Sequence, residues 1–254
     1  IQGPWLMEQM KEQALKVGTI FHNDIITSVN FEKNPFNSKT ESGKEFISKS
    51  IIIATGAQAR WLNLESEKKF KGFGISACAT CDGFFFKDQQ VAVIGGGNSA
   101  VEEAMFLTKF ASKVLLIHRR DSLRAEKILQ ERLFNNKKIE VIWNSKVSEF
   151  VGEENPYMLK KLILENTLDG STTTLDINGA FIAIGHDPAT SLFIDKLKMD
   201  KENYIITKPD STETSIKGVF AAGDVKDKIY RQAVTAAGMG CMAALEAEKY
   251  ITEN

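Results

Sequence analysis

The stretch Val91-Ala92-Val93-Ile94-Gly95-Gly96-Gly97-Asn98-Ser99-Ala100 restricts the fold more than any other part of this chain. Four apolar residues, mostly β-branched, read as a strand buried on both faces. The glycines that follow fit G-x-G-x-x-A, and residues 98–111 read as a helix. Strand, glycine turn and helix in that order let backbone approach a pyrophosphate while free helix N–H groups point at it. Gly95, Gly97, Asn98, Ser99 and Ala100 are therefore candidate nucleotide contacts; the competing reading is a merely tight strand–helix turn. Strands at 114–117 and 139–143 follow, with a charged amphipathic helix between them at 121–135. A β-α-β-α-β order predicts a parallel, doubly wound sheet, so the expected fold class is α/β.

The flanks carry a second set of signals. Residues 4–17 read as an amphipathic helix, 19–31 as a strand and 34–43 as a polar hairpin connection. Ser50-Ile51-Ile52-Ile53-Ala54-Thr55-Gly56 and Val219-Phe220-Ala221-Ala222-Gly223-Asp224 are both apolar runs that end at a glycine. Segments 159–165 and 172–177 flank Asp169-Gly170, a hairpin signature. Residues 181–184 return to the sheet pattern, and a last helix, rich in Ala and Gly, spans 232–250. The net charge of -1 favours neither nucleic acid nor an anionic membrane. No apolar run approaches the roughly 18 residues of a membrane span. Three cysteines do not make an extracellular disulfide framework, so a cytoplasmic setting is expected.

The strand after the glycine turn ends in Ile117-His118-Arg119-Arg120, with Arg124 beyond. An NAD site places an acidic residue about 20 positions after the first glycine, to hold the ribose 2′-OH. Here that place is basic. Arg119, Arg120 and Arg124 can clamp a 2′-phosphate by charge-assisted bonds, and His118 is assigned to the same nucleotide site. The sequence therefore reads NADPH over NADH, against the plainer alternative of a solvated basic turn.

Cys78-Ala79-Thr80-Cys81 admits three readings: half of a metal site, a structural disulfide or a redox couple. Zinc needs about four ligands, and Cys241, His22, His118 and His186 offer no second paired spacing, so no metal is expected. A disulfide closing so small a loop adds little chain-entropy stabilisation. Reversible dithiol chemistry explains the spacing best. Asp82 follows directly, either as a proton donor and acceptor for the pair or as a cap or turn residue.

A hydride carries two electrons, and passing them to a disulfide calls for a mediator such as flavin. Two regions look fit to hold one: Thr55-Gly56, and Gly223-Asp224 with Arg231-Gln232-Ala233. Asp224 can accept from a ribitol hydroxyl, and the start of the last helix offers free N–H groups. Ordinary strand ends and a helix start are the competing reading. Cys241 is expected to be a buried, inert small hydrophobe. His22 is placed on a strand surface, and His186 at a return crossing between domains.

Taken together, these motifs resemble bacterial-type, low-molecular-weight thioredoxin reductase. The resemblance rests on Ile51 to Ala57, Ser76 to Phe85 with its Cys-Ala-Thr-Cys-Asp element, and Val91 to Glu103. It extends through His118-Arg119-Arg120, Arg124 to Lys127, Ala183 to His186, Gly218 to Asp224 and Tyr230 to Ala233, so it spans essentially the whole chain. It implies two doubly wound Rossmann-like domains. An NADPH domain at 61–184 would carry the dithiol, inserted into a discontinuous FAD domain at 1–60 and 185–254. The resemblance also implies that Cys78 attacks the disulfide of thioredoxin, that Cys81 lies against the flavin and that Asp82 is the acid/base. Electrons would pass from NADPH to FAD, to the dithiol and to thioredoxin, in a homodimer whose domains rotate between steps. A related flavoprotein of a peroxide-reducing system, or an inactive NADPH-binding fragment, are the alternatives. A ferredoxin- or flavodoxin-type reductase normally lacks the dithiol.

One departure stands out. The family opens with a strand, a G-x-G-x-x-G turn and a helix for the FAD pyrophosphate. Upstream of Ser50 the only glycines are Gly3, Gly18 and Gly43, too far apart for that turn. The expectation is a chain lacking roughly the first βαβ unit, with FAD binding weakened in consequence.

Overall fold

The computed structural model describes residues 2–254. The chain divides into two compact units, one formed by the segments up to Gly56 and from Pro188 onward, the other by Ala57–Asp187.

The first unit opens with α1 (Gly3–Lys16), which carries a proline, Pro4, in its first turn and buries none of its residues. β1 (Ile26–Asn30), β2 (Phe36–Thr40) and β3 (Glu45–Ser48) form an antiparallel meander. Two expectations are corrected here. The strand expected from residue 19 begins only at Ile26, because the preceding apolar side chains find no cover: Val17, Ile20 and Ile25 are all exposed. The polar stretch expected as a hairpin connection contains β2, whose Phe36, Ser38 and Thr40 face inward. Small hydroxyl side chains at two inward positions disguised that alternation. β4 (Ile51–Ile53) closes the first segment.

The second unit contains β5 (Ala57–Ala59), α2 (Glu65–Phe70), β6 (Ile75–Ser76), the single turn α3 (Ala79–Asp82), β7 (Gln90–Gly95) and α4 (Asn98–Leu107). β8 (Lys113–Ile117), α5 (Lys127–Phe134), β9 (Ile139–Ile142), β10 (Ser145–Glu154), β11 (Tyr157–Asn166), β12 (Thr172–Asp176) and β13 (Gly179–Ala183) follow. Five strands form a parallel sheet in the order β6-β13-β7-β8-β9. The α/β class and the parallel sheet are thus as the sequence anticipated. On one face, Val91, Val93, Leu116 and Phe181 pack with Ala104 and Leu107 of α4. On the other, Ala92, Ile94, Leu115 and Ile117 pack with Phe150, Leu162 and Leu164 of the antiparallel sheet β10-β11-β12. β11 and β12 flank Asp169-Gly170 as expected, but the ten-residue β10 carried no sequence signal strong enough to single it out.

α5 also starts later than the sequence suggested. Instead of helix, residues 121–126 are tied to the glycine turn: Arg124 N donates to Gly96 O (2.8 Å), and Glu126 N donates to Asn98 Oδ1 (2.9 Å). β14 (His186–Pro188) pairs with β5, and Arg60, just beyond β5, donates from its backbone N to Gly185 O (2.9 Å) and from Nε to Asp187 Oδ1 (2.9 Å).

In the first unit the chain continues to β15 (Val219–Ala221), parallel to β4, and α6 (Ala233–Glu253). Val29, Phe36, Ile53, Phe193 and Val219 form its main core. α6 packs through Ala243 and Ala247 against Phe220 and Ala222, where small residues permit close approach. Among the described residues no helix is long and apolar enough to cross a membrane.

Candidate functional site

The glycine turn is built from below. A Cβ on Gly95 would stand 2.4 Å from Ala183 O and 2.7 Å from Ala100 Cβ, so Gly95 and the fully buried Ala100 serve strand–helix packing. Gly97, the residue before α4, has open space where its Cβ would lie, and no side chain caps the helix. The first N–H groups of α4 therefore face outward without a side-chain partner, as an anion-binding helix end requires. Ser99 is half-buried beside it. Asn98 is engaged twice with Glu126, accepting from its N and donating from Nδ2 to Oε1 (3.3 Å). It pins the turn to the start of α5.

The basic residues separate into two layers. Arg119, Arg120 and Arg124 are exposed, and among the described residues no carboxylate pairs with them. Their backbone is fixed: Thr167 Oγ1 donates to Arg119 O (3.2 Å), and Asn144 N donates to Arg120 O (3.2 Å). Three unneutralised guanidinium groups beside an open helix N-terminus are chemically suited to hold a phosphate. His118 does not join them at the surface. Its ring is buried beneath the turn, Nδ1 is 3.0 Å from Gly95 O, and Trp143 meets it edge-on. Burial pushes the imidazole below its usual range; backbone hydrogen bonding to Gly95 and Ser122 opposes this, and Arg120 and Arg124 reinforce it.

Cys78 and Cys81 form a disulfide. Cys78 is half-buried at the start of α3 and Cys81 is exposed. Ser76 Oγ accepts from Cys78 N (3.0 Å), and Cys81 N donates to Cys78 Sγ (3.2 Å). Asp82, half-buried, ends the turn; Phe84 and Phe85 beyond it are strongly exposed. The dithiol, the glycine turn and the arginines all belong to the second unit.

The remaining candidates meet in the first unit. Thr55 Oγ1 donates to Ala189 O (2.7 Å) and Ala189 N donates to Gly56 O (2.9 Å), which fixes the chain after β4. Gly223 opens a short 3-10 turn at φ 76°, a left-handed conformation that favours glycine. Asp224 is half-buried; burial raises its carboxyl, the neighbouring Asp227 raises it further and Arg231 opposes both. Gln232 precedes α6, whose first turn at Ala233 carries no side-chain cap and no acidic residue.

Sequence reasoning missed Asp227. Its buried carboxylate accepts from the N–H groups of Ile229 (3.0 Å), Tyr230 (2.9 Å) and Arg231 (3.2 Å). That knot holds Arg231 at φ 47° and so places Gln232 and the start of α6. An aspartate two residues before a backbone turn is a recognisable Asx signal that could have found it.

Cys241 requires correction: it is exposed, not buried. The helix face that packs carries Ala243 and Ala247, and two residues along a helix turn the side chain by about 200°. His22 is likewise exposed but outside any strand, its ring 4.9 Å from Phe46.

Comparison with known proteins gives consistent findings. The family model described as pyridine nucleotide-disulphide oxidoreductase matches residues 4–240. A thioredoxin reductase of Rickettsia conorii is 58% identical over 253 residues, covering 100% of this chain and 82% of that protein. Among solved structures, thioredoxin reductase from Giardia duodenalis superposes with a TM-score of 0.95 at 39% identity, covering 99% of this chain and 82% of that one. Thioredoxin reductase from Streptococcus pyogenes gives 0.94 at 40% identity, with 100% and 82% covered.

Proposed function

The chain belongs to the pyridine nucleotide-disulphide oxidoreductase family, and from that premise we propose that it is an NADPH-dependent thioredoxin–disulfide reductase. The observation that carries the reading is the accessible Cys78–Cys81 pair in the same unit as a glycine turn flanked by three unneutralised arginines.

The second unit takes the NADPH role. Gly97, Ser99 and the first turn of α4 receive the pyrophosphate, and Arg119, Arg120 and Arg124 hold the 2′-phosphate that distinguishes NADPH from NADH. The first unit takes the FAD role, and its donor set fits that group. Asp224 offers an acceptor for ribitol hydroxyls. Arg231, Gln232 and the uncapped start of α6 offer donors to the electron-poor ring and its oxygens. When bound there, FAD would supply two-electron redox chemistry linking the NADPH hydride to the disulfide.

The residues of the chain then complete the exchange. Reduction of the Cys78–Cys81 bond leaves two sulfurs. The hydrogen bond from Cys81 N to Cys78 Sγ favours negative charge on Cys78, which makes it the better attacking thiolate. Cys78 attacks the disulfide of thioredoxin and forms a mixed disulfide. Cys81 then attacks Cys78, releasing dithiol thioredoxin and restoring the internal bond. Asp82, next to the pair, supplies the proton that the leaving thiolate takes up. A homodimer in the cytoplasm belongs to the same reading.

The test is direct. Purified protein is assayed for a flavin visible spectrum and for NADPH-dependent reduction of thioredoxin. Yellow protein that reduces thioredoxin with NADPH supports the reading. Protein that binds NADPH and flavin but leaves thioredoxin oxidised overturns it.

A further inference from the structure

The G-x-G pattern leaves its middle position free, and only its glycines are assigned a purpose. In this chain the middle position, Gly96, is more tightly constrained than Gly97. A Cβ on Gly96 would lie 2.2 Å from Cε1 and 2.3 Å from Nδ1 of His118, whereas a Cβ on Gly97 would meet nothing within 4 Å. The imidazole cannot retreat. Nδ1 must donate to Gly95 O, since a carbonyl only accepts, and Trp143 stands against the ring. The His118 backbone is bound on both sides, its N to Ile142 O (2.9 Å) and its O from Ser145 N (3.0 Å). Above the ring, Gly96 O accepts from Arg124 N (2.8 Å). The ring, Gly96 and the Arg124 backbone are therefore linked in one run of contacts.

We propose that His118 is a positioning residue for the dinucleotide: its ring, wedged beneath Gly96, sets the height of the glycine turn and, through Gly96 O, the place of Arg124. The pyrophosphate cradle and the 2′-phosphate clamp are thereby held in register before any ligand arrives. Burial, which disfavours the charged imidazole, suits this role, because a neutral ring that carries its proton on Nδ1 still donates to Gly95 O and places no charge under the loop. The inference rests on the NADPH reading but not on thioredoxin as substrate.

The experiment is a double-mutant cycle on the full chain, with 2′,5′-ADP as probe, read by titration calorimetry and thermal melting. Gly96→Ala alone is expected to weaken 2′,5′-ADP by about tenfold or more, since overpacking a tight site costs that much. In the His118→Ala background the same alanine is expected to cost less than about twofold, because the clash has gone. His118→Ala alone should raise KM for NADPH while leaving kcat unchanged, and His118→Asn, which keeps a donor for Gly95 O, should recover part of the loss. Equal cost of Gly96→Ala in both backgrounds overturns the proposal, as does a fall in kcat with KM unchanged. If Gly96→Ala melts too low to titrate, the double variant must melt higher than it; one that does not also overturns the proposal. Wild-type protein that fails to bind 2′,5′-ADP overturns the NADPH reading itself, a result distinct from an additive cycle.

Discussion

Two glycine-ended strands can be compared, β7 in the second unit and β15 in the first. β7 has a hydrogen-bonded neighbour on each side, and its Val91, Ala92 and Val93 are fully buried. The turn after it is held by packing and by backbone bonds from the next strand–helix connection. β15 pairs with β4 on one side and on the other is joined only by a short bridge to the 212–214 segment, and the connection leading on to α6 is held by a charged side chain, Asp227. The glycine turn of the second unit is thus fixed by shape and the connection into α6 by electrostatics. Shape is insensitive to single polar changes but intolerant of added volume; a carboxylate knot is the reverse.

The largest effect separates the chemistry of the second unit from its binding. Cys81→Ser is expected to abolish thioredoxin reduction while 2′,5′-ADP affinity stays at the wild-type value; loss of both together would break the assignment. Next, Arg119→Ala with Arg120→Ala should weaken NADPH by about a hundredfold or more, since each charge-assisted phosphate contact is worth at least roughly 1.5 kcal/mol, and NADH far less. An equal loss for both nucleotides means that the basic turn is not reading a 2′-phosphate.

Asp227→Ala removes one buried acceptor from three N–H groups. Flavin affinity, followed by fluorescence, is expected to fall by about tenfold or more while 2′,5′-ADP binding is unchanged. If both ligands weaken together, the contrast between a shape-held and a charge-held turn fails. The smallest effect is a pH dependence. His118 is held below its ordinary value when folded, so the unfolded chain takes up its proton first as pH falls. Stability is therefore retained above the unfolded value near 6.5 and drains away as pH drops toward the folded one. Melting temperature should decline between pH 7.5 and pH 5.5, and less so in His118→Asn.

The same contrast explains what could be read from the sequence. The glycine turn, its strands and the arginines are contiguous motifs whose period and punctuation are local, so they were legible. The pairing of Cys78 with Cys81 was legible for the same reason. For His118 the sequence shows only a neighbour of the arginines; the fold adds that its ring turns inward under Gly96. The clasp of Asn98 with Glu126 depends on tertiary contact, which no periodicity encodes, whereas the Asp227 knot is local and left only an Asx signal in the sequence. β2 was missed because Ser38 and Thr40 fill inward positions where apolar residues are the usual signal.

The pairing of β5 with β14 has a consequence for how such a chain is put together. Ala57 and Asp187, the first and last residues of the second unit, lie on strands that run side by side, clasped by Arg60 to Gly185 and Asp187. A module whose entrance and exit share one doorway can be spliced into a host, or lifted out, without stretching either. Recombination could move the glycine turn, its arginines and the sulfur pair as a single cassette.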